Sequence, residues 1–428
     1  MIDERELREM LERRAGTISA TPTDAPKAVR RARRRLVLNA AVGTVVGIAV
    51  LLGALASVRA IQTASPIPAD PTPTPPGAGE VLTSTDPWVV REIVAQDPDS
   101  GEVRPIVDAR TLPERAEGIT GAAWSHDRRW VAFRAGGLWV TDTIGGAPRQ
   151  VSADQRLGWF PWAWSPTEDQ LVVVLGRAVT LIDAATGRET DLGTVVGPED
   201  QEGYAVHTVV WSPDGTRIAY DGGPGWASVY SIDVENGEHT LLVREPAGTG
   251  EIKDIDWSPD GAHLAISYLD ASYIASHRAE LGPVSYKATA LYLADADGSD
   301  LRPLDHIVAS QWPVWIPRLS VGTAWSPDGT RLAYASFSGP DHRELQVWTG
   351  SVDGSAPSLV ASRCCVSDGG GAVWSPDGSR IAFETEPGGD QPHQYLVVNA
   401  DGTGEPEELD ELMYRSWIGG SYFCYCYG

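Results

Sequence analysis

The sequence has few cysteines and carries none of the short motifs that mark common catalytic sites. Only four cysteines occur among 428 residues, and the first of them is Cys364, so we expect no lipid-modified cysteine near the N-terminus. No GxSxG nucleophile elbow, HExxH zinc motif or GxxxxGK[ST] phosphate loop is present. From these absences we predict that the chain is not an enzyme, binds no metal and needs no cofactor.

Basic residues are scarce in most of the chain. The net charge is −24, and residues 60–428 hold 23 Lys and Arg against 52 Asp and Glu. A surface this acidic argues against nucleic acid and anionic lipid as ligands, because both bind basic surfaces. It permits a cationic peptide or a metal ion as ligand. The alternative is that the charge only keeps a soluble domain from associating.

One long stretch lacks charge altogether. Residues 36–58, LVLNAAVGTVVGIAVLLGALASV, contain 23 residues, which is long enough to span a bilayer as a helix. Five arginines occupy the six residues before it, whereas only Arg59 follows it directly. The positive-inside rule therefore predicts a single-pass protein of the cell membrane, with residues 1–35 in the cytoplasm and the rest outside. A cleaved signal peptide is the alternative, but its apolar core is shorter, about 7–15 residues.

The segments on either side of this span differ in character. Residues 3–15 predict a short amphipathic helix with three apolar residues on one face. It is either a marginal helix before the membrane or a docking helix for a cytoplasmic partner, as in the anti-sigma-type proteins that it loosely resembles. Residues 59–84 include six closely spaced prolines and predict a stiff, extended linker.

The rest of the chain repeats one short motif. WSPDGTRIAY at residues 211–220 returns as WSPDGTRLAY at residues 325–334, and four further copies drift from it. The tryptophans that open the copies are Trp124, Trp164, Trp211, Trp257, Trp325 and Trp374. Most of their spacings lie in the forties, which is typical of propeller blades of four strands each.

The motif predicts two strands joined by a tight turn. Apolar residues before each Trp form strand a, Ser-Pro-Asp-Gly forms the turn with Gly in the left-handed position, and the apolar residues that follow form strand b. Two later runs, such as SVYSIDV at 228–234 and HTLLV at 239–243, predict strands c and d. We expect each repeat Trp to fill the space between neighbouring blades.

These WSPDGxRIAF-type copies resemble the WD40-like repeats of TolB-type β-propellers, which also occur in prolyl-oligopeptidase-type enzymes. The resemblance covers residues 85–428 and implies an all-β fold of four-stranded antiparallel blades. It implies no particular function, because one fold hosts many functions. Related peptidases carry their catalytic residues in an additional domain, and seven blades would leave no room for one within residues 85–428.

The two ends of the repeat region predict how the ring closes. Residues 88–109 indicate two strands with no motif before them, and Trp417 lies 43 residues after Trp374, where the next repeat Trp is due. We therefore predict a seven-bladed propeller whose seventh blade is a composite. Its strands a and b would come from residues 412–427, and its strands c and d from residues 87–109. Six blades with loose ends are the alternative.

All four cysteines lie in the predicted exterior domain, as Cys364, Cys365, Cys424 and Cys426. An even number in an oxidising compartment indicates disulfide bonds, and four cysteines allow three pairings. A bond from Cys364 or Cys365 to Cys424 or Cys426 would tie the closing blade to the ring. Bonds within each pair are the alternative. A zinc site is disfavoured because CC and CxC differ from the usual CxxC spacing.

Departures from the repeat collect in the d-to-a and b-to-c loops, which share one face of a propeller. They include an insertion at residues 269–287, a long connector before Trp325 and aromatic residues outside the repeat positions. The candidate partner-binding residues are Trp159, Phe160, Trp226, Tyr273, Trp312 and Trp315. Exposed aromatics around a concave face indicate a binding site, whereas burial beneath the inserted loop is the alternative.

Together these features predict a membrane-anchored, extracytoplasmic propeller that binds a protein or peptide without catalysis. The alternative is a transmembrane regulator whose residues 1–35 hold a cytoplasmic factor and whose propeller senses an exterior ligand. The two hypotheses differ in the side of the membrane on which the main partner binds.

Overall fold

Antiparallel β-strands make up most of the regular structure. The computed structural model describes residues 80–83, 92–112, 119, 121–144, 146–152, 162–197, 206–247, 249–276, 288–308, 325–338, 344–364, 368–386, 394–417 and 422–423. The chain divides into two units, residues 1–72 and 73–428. The predicted cytoplasmic helix and membrane span fall in the first unit, outside the described residues. Within the described part, no helix has the length and apolar character needed to cross a membrane.

The strands form seven sheets, one for each blade. The N-terminal sheet, blade 7, contains β1 (Val81–Thr83), β2 (Glu92–Gln96) and β3 (Val103–Asp108). Blade 1 contains β4 (Gly121–Trp124), β5 (Trp130–Arg134), β6 (Leu138–Asp142) and β7 (Arg149–Ser152). Blade 2 contains β8 (Trp162–Trp164), β9 (Gln170–Leu175), β10 (Ala178–Asp183) and β11 (Glu189–Thr194). Blade 3 contains β12 (Val209–Trp211), β13 (Arg217–Gly222), β14 (Ser228–Asp233) and β15 (His239–Val243).

The remaining blades follow the same order. Blade 4 contains β16 (Ile252–Trp257), β17 (His263–Leu269), β18 (Ala288–Asp295) and β19 (Arg302–Val308). Blade 5 contains β20 (Arg331–Ser338), β21 (Glu344–Ser351) and β22 (Ser358–Arg363), and Trp325 joins it through an isolated bridge to Leu332. Blade 6 contains β23 (Asp368–Trp374), β24 (Arg380–Glu386), β25 (Gln394–Asn399) and β26 (Glu407–Leu409).

The predicted seven-bladed, all-β propeller with four-stranded antiparallel blades is confirmed, and the six-bladed alternative is wrong. Successive strands are hydrogen-bonded neighbours in every blade. The register follows the motif, because Trp211 pairs with Ile218 and Val209 with Tyr220 across the a–b turn. First strands of neighbouring blades contact one another, as β12 contacts β8 and β16. The first strands therefore line the axis of the ring.

Side-chain and backbone groups of the Ser-Pro-Asp-Gly turn form hydrogen bonds with one another. In blade 3, the Ser212 hydroxyl donates to Asp214 Oδ1 at 2.6 Å and accepts the Arg217 N–H at 2.9 Å. Gly215 has a φ of +72°, a conformation that costs little only for glycine. The first copy of the motif has Arg128 at this position, also with a positive φ, of +60°. The predicted turn is therefore present even where glycine is missing.

The repeat tryptophans lie between blades, as expected. Trp124, Trp211, Trp257, Trp325 and Trp374 are buried, and Trp164 and Trp417 are half-buried. The Trp164 indole donates to the Ala123 carbonyl of the preceding blade at 3.0 Å, and the Trp211 indole donates to the Ala163 carbonyl at 3.2 Å. The seams between blades thus combine apolar burial with a directional hydrogen bond.

Blade 7 closes the ring differently from the prediction. Residues 411–417 form helix α2 (Glu411–Trp417), not a strand, and β27 (Tyr422–Phe423) pairs with β4 of blade 1. Blade 7 takes three strands from the N-terminal side instead, and β1 lies within the predicted linker at residues 59–84. The helix forms because its first turn begins after Asp410, Glu411 pairs with Arg415 one turn later, and no β-branched residue interrupts it.

Helix α2 nevertheless completes the seam that Trp417 was expected to fill. Trp417 and Tyr414 pack against Val373, Ala382 and Val397 of blade 6, and α2 contacts β1. The Arg380 guanidinium lies 5.5 Å from the Trp417 ring. Arg217 over Trp257 and Arg331 over Trp374 repeat this contact in other seams. Trp417 thus occupies the place of a repeat Trp although it lies on a helix.

The disulfide candidates are described only in part. Cys364 is disulfide-bonded and directly follows β22. The other three cysteines, Cys365, Cys424 and Cys426, lie outside the described residues. The bond is consistent with an oxidising compartment, and its pairing stays a prediction.

Candidate binding site at the loop end

The two ends of the propeller differ in their polar chemistry. The a–b and c–d turns lie at one end, the turn end, and the b–c loops and d–a connectors lie at the other, the loop end. At the turn end, a Ser hydroxyl donates to the Asp two residues later in five blades, at Ser125, Ser212, Ser258, Ser326 and Ser375. These turns leave little hydrogen-bonding capacity for a partner.

A buried carboxylate anchors the loop end of blade 3. Asp221, near the end of β13, is fully buried and accepts the backbone N–H groups of His207 and Thr208 at 2.7 and 2.8 Å. Its Oδ2 also accepts the His207 Nδ1–H at 2.8 Å. The carboxylate therefore fixes the chain as it enters β12, and it orients an imidazole whose side chain is 42% exposed.

The charges of this pair depend on each other. The hydrogen bond to Asp221 raises the pKa of His207 above its usual value and so favours the imidazolium form. Burial raises the pKa of the Asp221 carboxyl, whereas its three hydrogen bonds act in the opposite direction. The Trp226 ring meets the His207 ring edge-on at 6.1 Å. The loop end of blade 3 therefore presents a positioned, titratable imidazole.

Blade 4 adds two more buried carboxylates on its first strand. Asp254 and Asp256 are 3% and 8% exposed, and the alternation of β16 directs both to the same side. Asp254 Oδ1 accepts the Thr208 hydroxyl of blade 3 at 3.3 Å and the Ile255 N–H at 2.9 Å. Within the described residues, Asp256 Oδ2 is buried and has no hydrogen-bond partner. Burial, followed by the Asp254 charge, raises the pKa of Asp256 well above its usual value.

A short helix lies at the loop end of blade 4. Asp270, also buried, follows β17, and its Oδ1 accepts the Tyr273 N–H at 2.8 Å. This bond caps helix α1 (Ala271–Ser276) at its N-terminus. Tyr273, a predicted partner-binding residue, is half-buried on α1. The cap thus holds an aromatic side chain at the loop end of blade 4.

Among the other predicted partner-binding residues, only Trp226 lies within the described residues. Trp226 is only 7% exposed, and a Cβ added to Gly197 of blade 2 would come within 2.7 Å of its ring. It offers little surface to a partner and supports His207 from the side. Trp159, Phe160, Trp312 and Trp315 lie outside the described residues.

One cluster at the turn end has spacing suitable for a metal. Possible ligand atoms of His126, Asp127 and Asp169 all lie within 4.8 Å of one another, beside a cleft of about 330 Å³ between blades 1 and 2. The Arg129 guanidinium, however, forms ion pairs with both carboxylates. This cation already balances much of the negative charge that a metal ion would need.

Sequence reasoning missed Asp221, Asp254 and Asp256. The motif predicts an apolar strand before each repeat Trp, and DIDW at 254–257 occupies that place in blade 4. The available signal was a break in the repeat, because the residue before Trp is Ala or Val in the five other copies. Positions that break a local rule are often functional ones.

Comparisons with known proteins support the fold. No family model matches the chain. The Tol-Pal system protein TolB of Thioalkalivibrio sulfidiphilus (strain HL-EbGR7) is 38% identical over 73 residues, which are 17% of this chain and only 14% of that relative. An oligogalacturonate lyase in complex with manganese has a TM-score of 0.49 at 16% identity, covering 78% of this chain and 88% of its own. Dipeptidyl peptidase 4 of Porphyromonas gingivalis has a TM-score of 0.50 at 12% identity, and the match covers 78% of this chain and 54% of the peptidase chain.

One of these structures corrects the prediction that the chain is not an enzyme. The peptidase is an enzyme by name, and it contains this fold at a TM-score of 0.50. At such identities the likeness concerns the fold alone. The propeller fold therefore gives no ground for excluding catalysis. The absence of short catalytic motifs is not sufficient evidence to exclude it either.

Proposed function

The chain carries a TolB-like β-propeller, and we propose that this propeller binds a protein or peptide at its loop end. We propose further that residues 36–58 anchor it in the cell membrane with the propeller outside. The relative's role in the Tol-Pal system is not part of the proposal, because the match spans 14% of that protein.

The observation that carries the proposal is the difference between the two ends of the ring. Five turns at the turn end satisfy their own hydrogen bonds, whereas the loop end of blades 3 and 4 holds buried carboxylates, an oriented imidazole and a capped helix. Burying a carboxylate costs free energy even when it is hydrogen-bonded, and residues that break a local pattern are often functional ones. Tyr273 on α1 supplies the aromatic contact that is frequent in protein interfaces.

Site-specific photo-crosslinking of the full-length chain in its own cells tests this function. A benzoylphenylalanine would replace Tyr273 at the loop end or, as the matched control, Ile144, which is 59% exposed after β6 at the turn end. We expect an adduct with a distinct protein or peptide from position 273 and none from position 144. An adduct only from position 144, or none from either, would contradict the proposal.

The proposed topology has its own test. The chain should stay in the membrane fraction after alkaline extraction, and protease added outside intact cells should remove the propeller while sparing residues 1–35. Extraction of the intact chain into the soluble fraction, or full protection from exterior protease, would contradict the proposed anchor and orientation.

A further inference from the structure

Strand d carries an arginine at the same position in three blades, and each of these arginines bridges the seam to the next blade. The guanidinium donates to the carbonyl of the residue that follows strand c of that blade: Arg104 to Thr143, Arg149 to Ala184 and Arg302 to Val352. Blade 5 has Ser358 at this position, because Ser358 pairs with strand c as Arg302 does in blade 4. A serine side chain is too short to cross the seam, so blades 5 and 6 meet differently.

Strand c of blade 5 also departs from the other blades, directly beside Ser358. Thr349 pairs with Ser358, whereas the same position holds a larger apolar residue in blades 1, 2 and 4: Val140, Leu181 and Leu293. Those three side chains pack in the seam with the next blade. Thr349 is only 7% exposed, and within the described residues its hydroxyl has no hydrogen-bond partner. Two short hydroxyl side chains thus lie where blades 1 and 4 have an apolar side chain and an arginine.

A cavity of about 280 Å³ lies at this place, between blades 5 and 6 at the turn end. Its polar lining residues are Arg331, Thr349, Ser351, Ser355 and Ser358 of blade 5 and Asp401 of blade 6. Arg331 pairs with Ser351, and Thr349 pairs with Ser358. Residues paired across antiparallel strands share a face, so these four side chains are directed together towards blade 6. We call this space the blade 5–6 cavity.

The Arg331 guanidinium is positioned at the cavity without being used there. It lies 4.5 Å from the centroid of the Trp374 ring. Arg217 of blade 3 lies in the same way over the next repeat Trp, but its Nη1 also donates to the Ala296 carbonyl at 3.0 Å. Ala400 holds the place of Ala296 in blade 6 and lines the cavity. Within the described part of the chain, however, the Arg331 guanidinium forms neither a hydrogen bond nor an ion pair. Its N–H donors are therefore available at a position that the ring contact fixes.

The donor set favours a singly charged oxygen anion. A guanidinium donates two parallel hydrogen bonds to a carboxylate or a phosphate, and hydroxyl groups beside it can donate further ones. Asp401 on the opposite wall and the net charge of residues 60–428 repel anions, and they repel a dianion twice as strongly as a monoanion. A carboxylate therefore fits better than a phosphate dianion. The volume of about 280 Å³ limits the ligand to a small molecule.

We propose that the blade 5–6 cavity binds the carboxylate group of a small organic acid. The Arg331 guanidinium pairs with the two carboxylate oxygens, and the Thr349 and Ser358 hydroxyls donate to them. This site goes beyond the proposed function, because it lies at the turn end and takes a small molecule, whereas the protein or peptide partner binds at the loop end.

The test uses the full-length chain labelled with 5-fluorotryptophan. The probes are sodium propionate and propionamide, a neutral molecule of nearly the same shape, at constant ionic strength. The readout is the ¹⁹F resonance of Trp374, assigned with a Trp374→Phe variant. We expect a saturable shift with propionate and none with propionamide. Arg331→Gln should weaken propionate binding at least about tenfold, because the hydrogen bonds between two charged groups are lost.

Thr349→Leu gives the cavity the side chain that blades 2 and 4 have at this position. The variant should fold, melt at the wild-type temperature or above it, and lose propionate binding because the leucine occupies the ligand's place. Thr349→Val is the matched control, which removes only the hydroxyl and should weaken binding less than Thr349→Leu does. If Thr349→Leu fails to fold, Arg331→Gln decides the question alone. A wild type without a saturable shift, or undiminished binding by Arg331→Gln, would overturn the proposal.

Two further outcomes concern the chemistry of the ligand. A saturable shift with sodium phosphate but not with propionate would assign the cavity to phosphate and overturn the carboxylate proposal. Equal shifts with propionate, phosphate and chloride would show a general effect of salt and overturn it as well. Neither result would affect the crosslinking expected at Tyr273, so this proposal and the proposed function stand or fall separately.

Discussion

Individual hydroxyl and carboxyl groups hold each motif turn in place. In blade 6, Asp377 Oδ1 accepts the Ser375 hydroxyl at 2.6 Å, the Ser379 hydroxyl at 2.8 Å and the Ser379 N–H at 3.0 Å. These bonds, the Ser375 hydroxyl first, lower the pKa of Asp377 to about 2. The letters of the motif were sufficient to predict this turn because all of its partners lie within five residues.

The lowered pKa predicts how stability depends on pH. A carboxyl whose pKa falls on folding stabilises the fold above its unfolded pKa, and this contribution is lost as the pH falls through the folded pKa. Asp377→Asn should therefore lower the melting temperature by a few degrees at pH 7. The difference from the wild type should persist down to about pH 4 and shrink towards pH 2.

Thermal melts of both proteins between pH 2.5 and pH 7 check this expectation. In a Ser375→Ala background the pH dependence should be weaker, because the largest cause of the pKa shift is gone. A difference that stays constant to pH 2.5, or that changes mainly near neutral pH, would contradict the assignment of the pKa shift to this turn.

At the scale of elements, the blades approach one another closely through their c–d turns. Gly298, between β18 and β19, has a φ of +83°, and a Cβ added there would come within 2.1 Å of the Leu242 carbonyl oxygen in β15 of blade 3. Gly354, in the equivalent turn of blade 5, has a φ of +79° and nothing within 4 Å of an added Cβ. The same turn is thus in contact with a neighbouring blade in one case and open in the other.

Alanine substitutions at Gly298 and Gly354 separate the cost of backbone strain from the cost of disturbing the packing between blades. Gly354→Ala should cost about 1–2 kcal/mol of unfolding free energy, the penalty for an L-residue in the left-handed region. Gly298→Ala should cost at least about 2 kcal/mol more, because backbone atoms of two blades must move apart. Chemical denaturation measures both values, and equal costs would show that blades 3 and 4 do not touch at this turn.

Elements were predictable from sequence where the pattern repeats and not where it ends. Strands a to d of blades 1 to 6 follow from recurring letters, but residues 411–417 became a helix because their local propensity and the Glu411–Arg415 pair outweigh the spacing from Trp374. Asp254 and Asp256 were missed because DIDW keeps the length and the Trp of a first strand. A comparison of each repeat position, letter by letter, would have identified them.

At the scale of the whole molecule, the C-terminal segment closes the ring at two places: α2 fills the seam between blades 6 and 7, and β27 pairs with β4 of blade 1. Trp417 on α2 packs against blade 6, beneath Arg380, while α2 contacts β1 of blade 7. Stability of the closed ring therefore depends in part on side-chain packing at the α2 seam. In the other seams, a repeat Trp on a strand or bridge fills the space between the two blades.

Trp417→Ala should destabilise the propeller by about 2–4 kcal/mol, somewhat less than the truncation of a fully buried Trp. Blade 7 should lose the most protection against hydrogen exchange, because its contact with α2 is weakened. Trp417→Phe is the control and should retain most of the stability. An unchanged denaturation midpoint for Trp417→Ala would contradict this account of closure.

The central claim is that the turn end maintains the fold while the loop end of blades 3 and 4 binds the partner. Hydrogen exchange of the full-length chain, with and without the partner captured at position 273, tests it most directly. The account predicts added protection at residues 206–208, 221–227, 249–256 and 270–276, with no change at the motif turns 212–216 and 375–379. Protection of the motif turns, with the loop end unchanged, would contradict it.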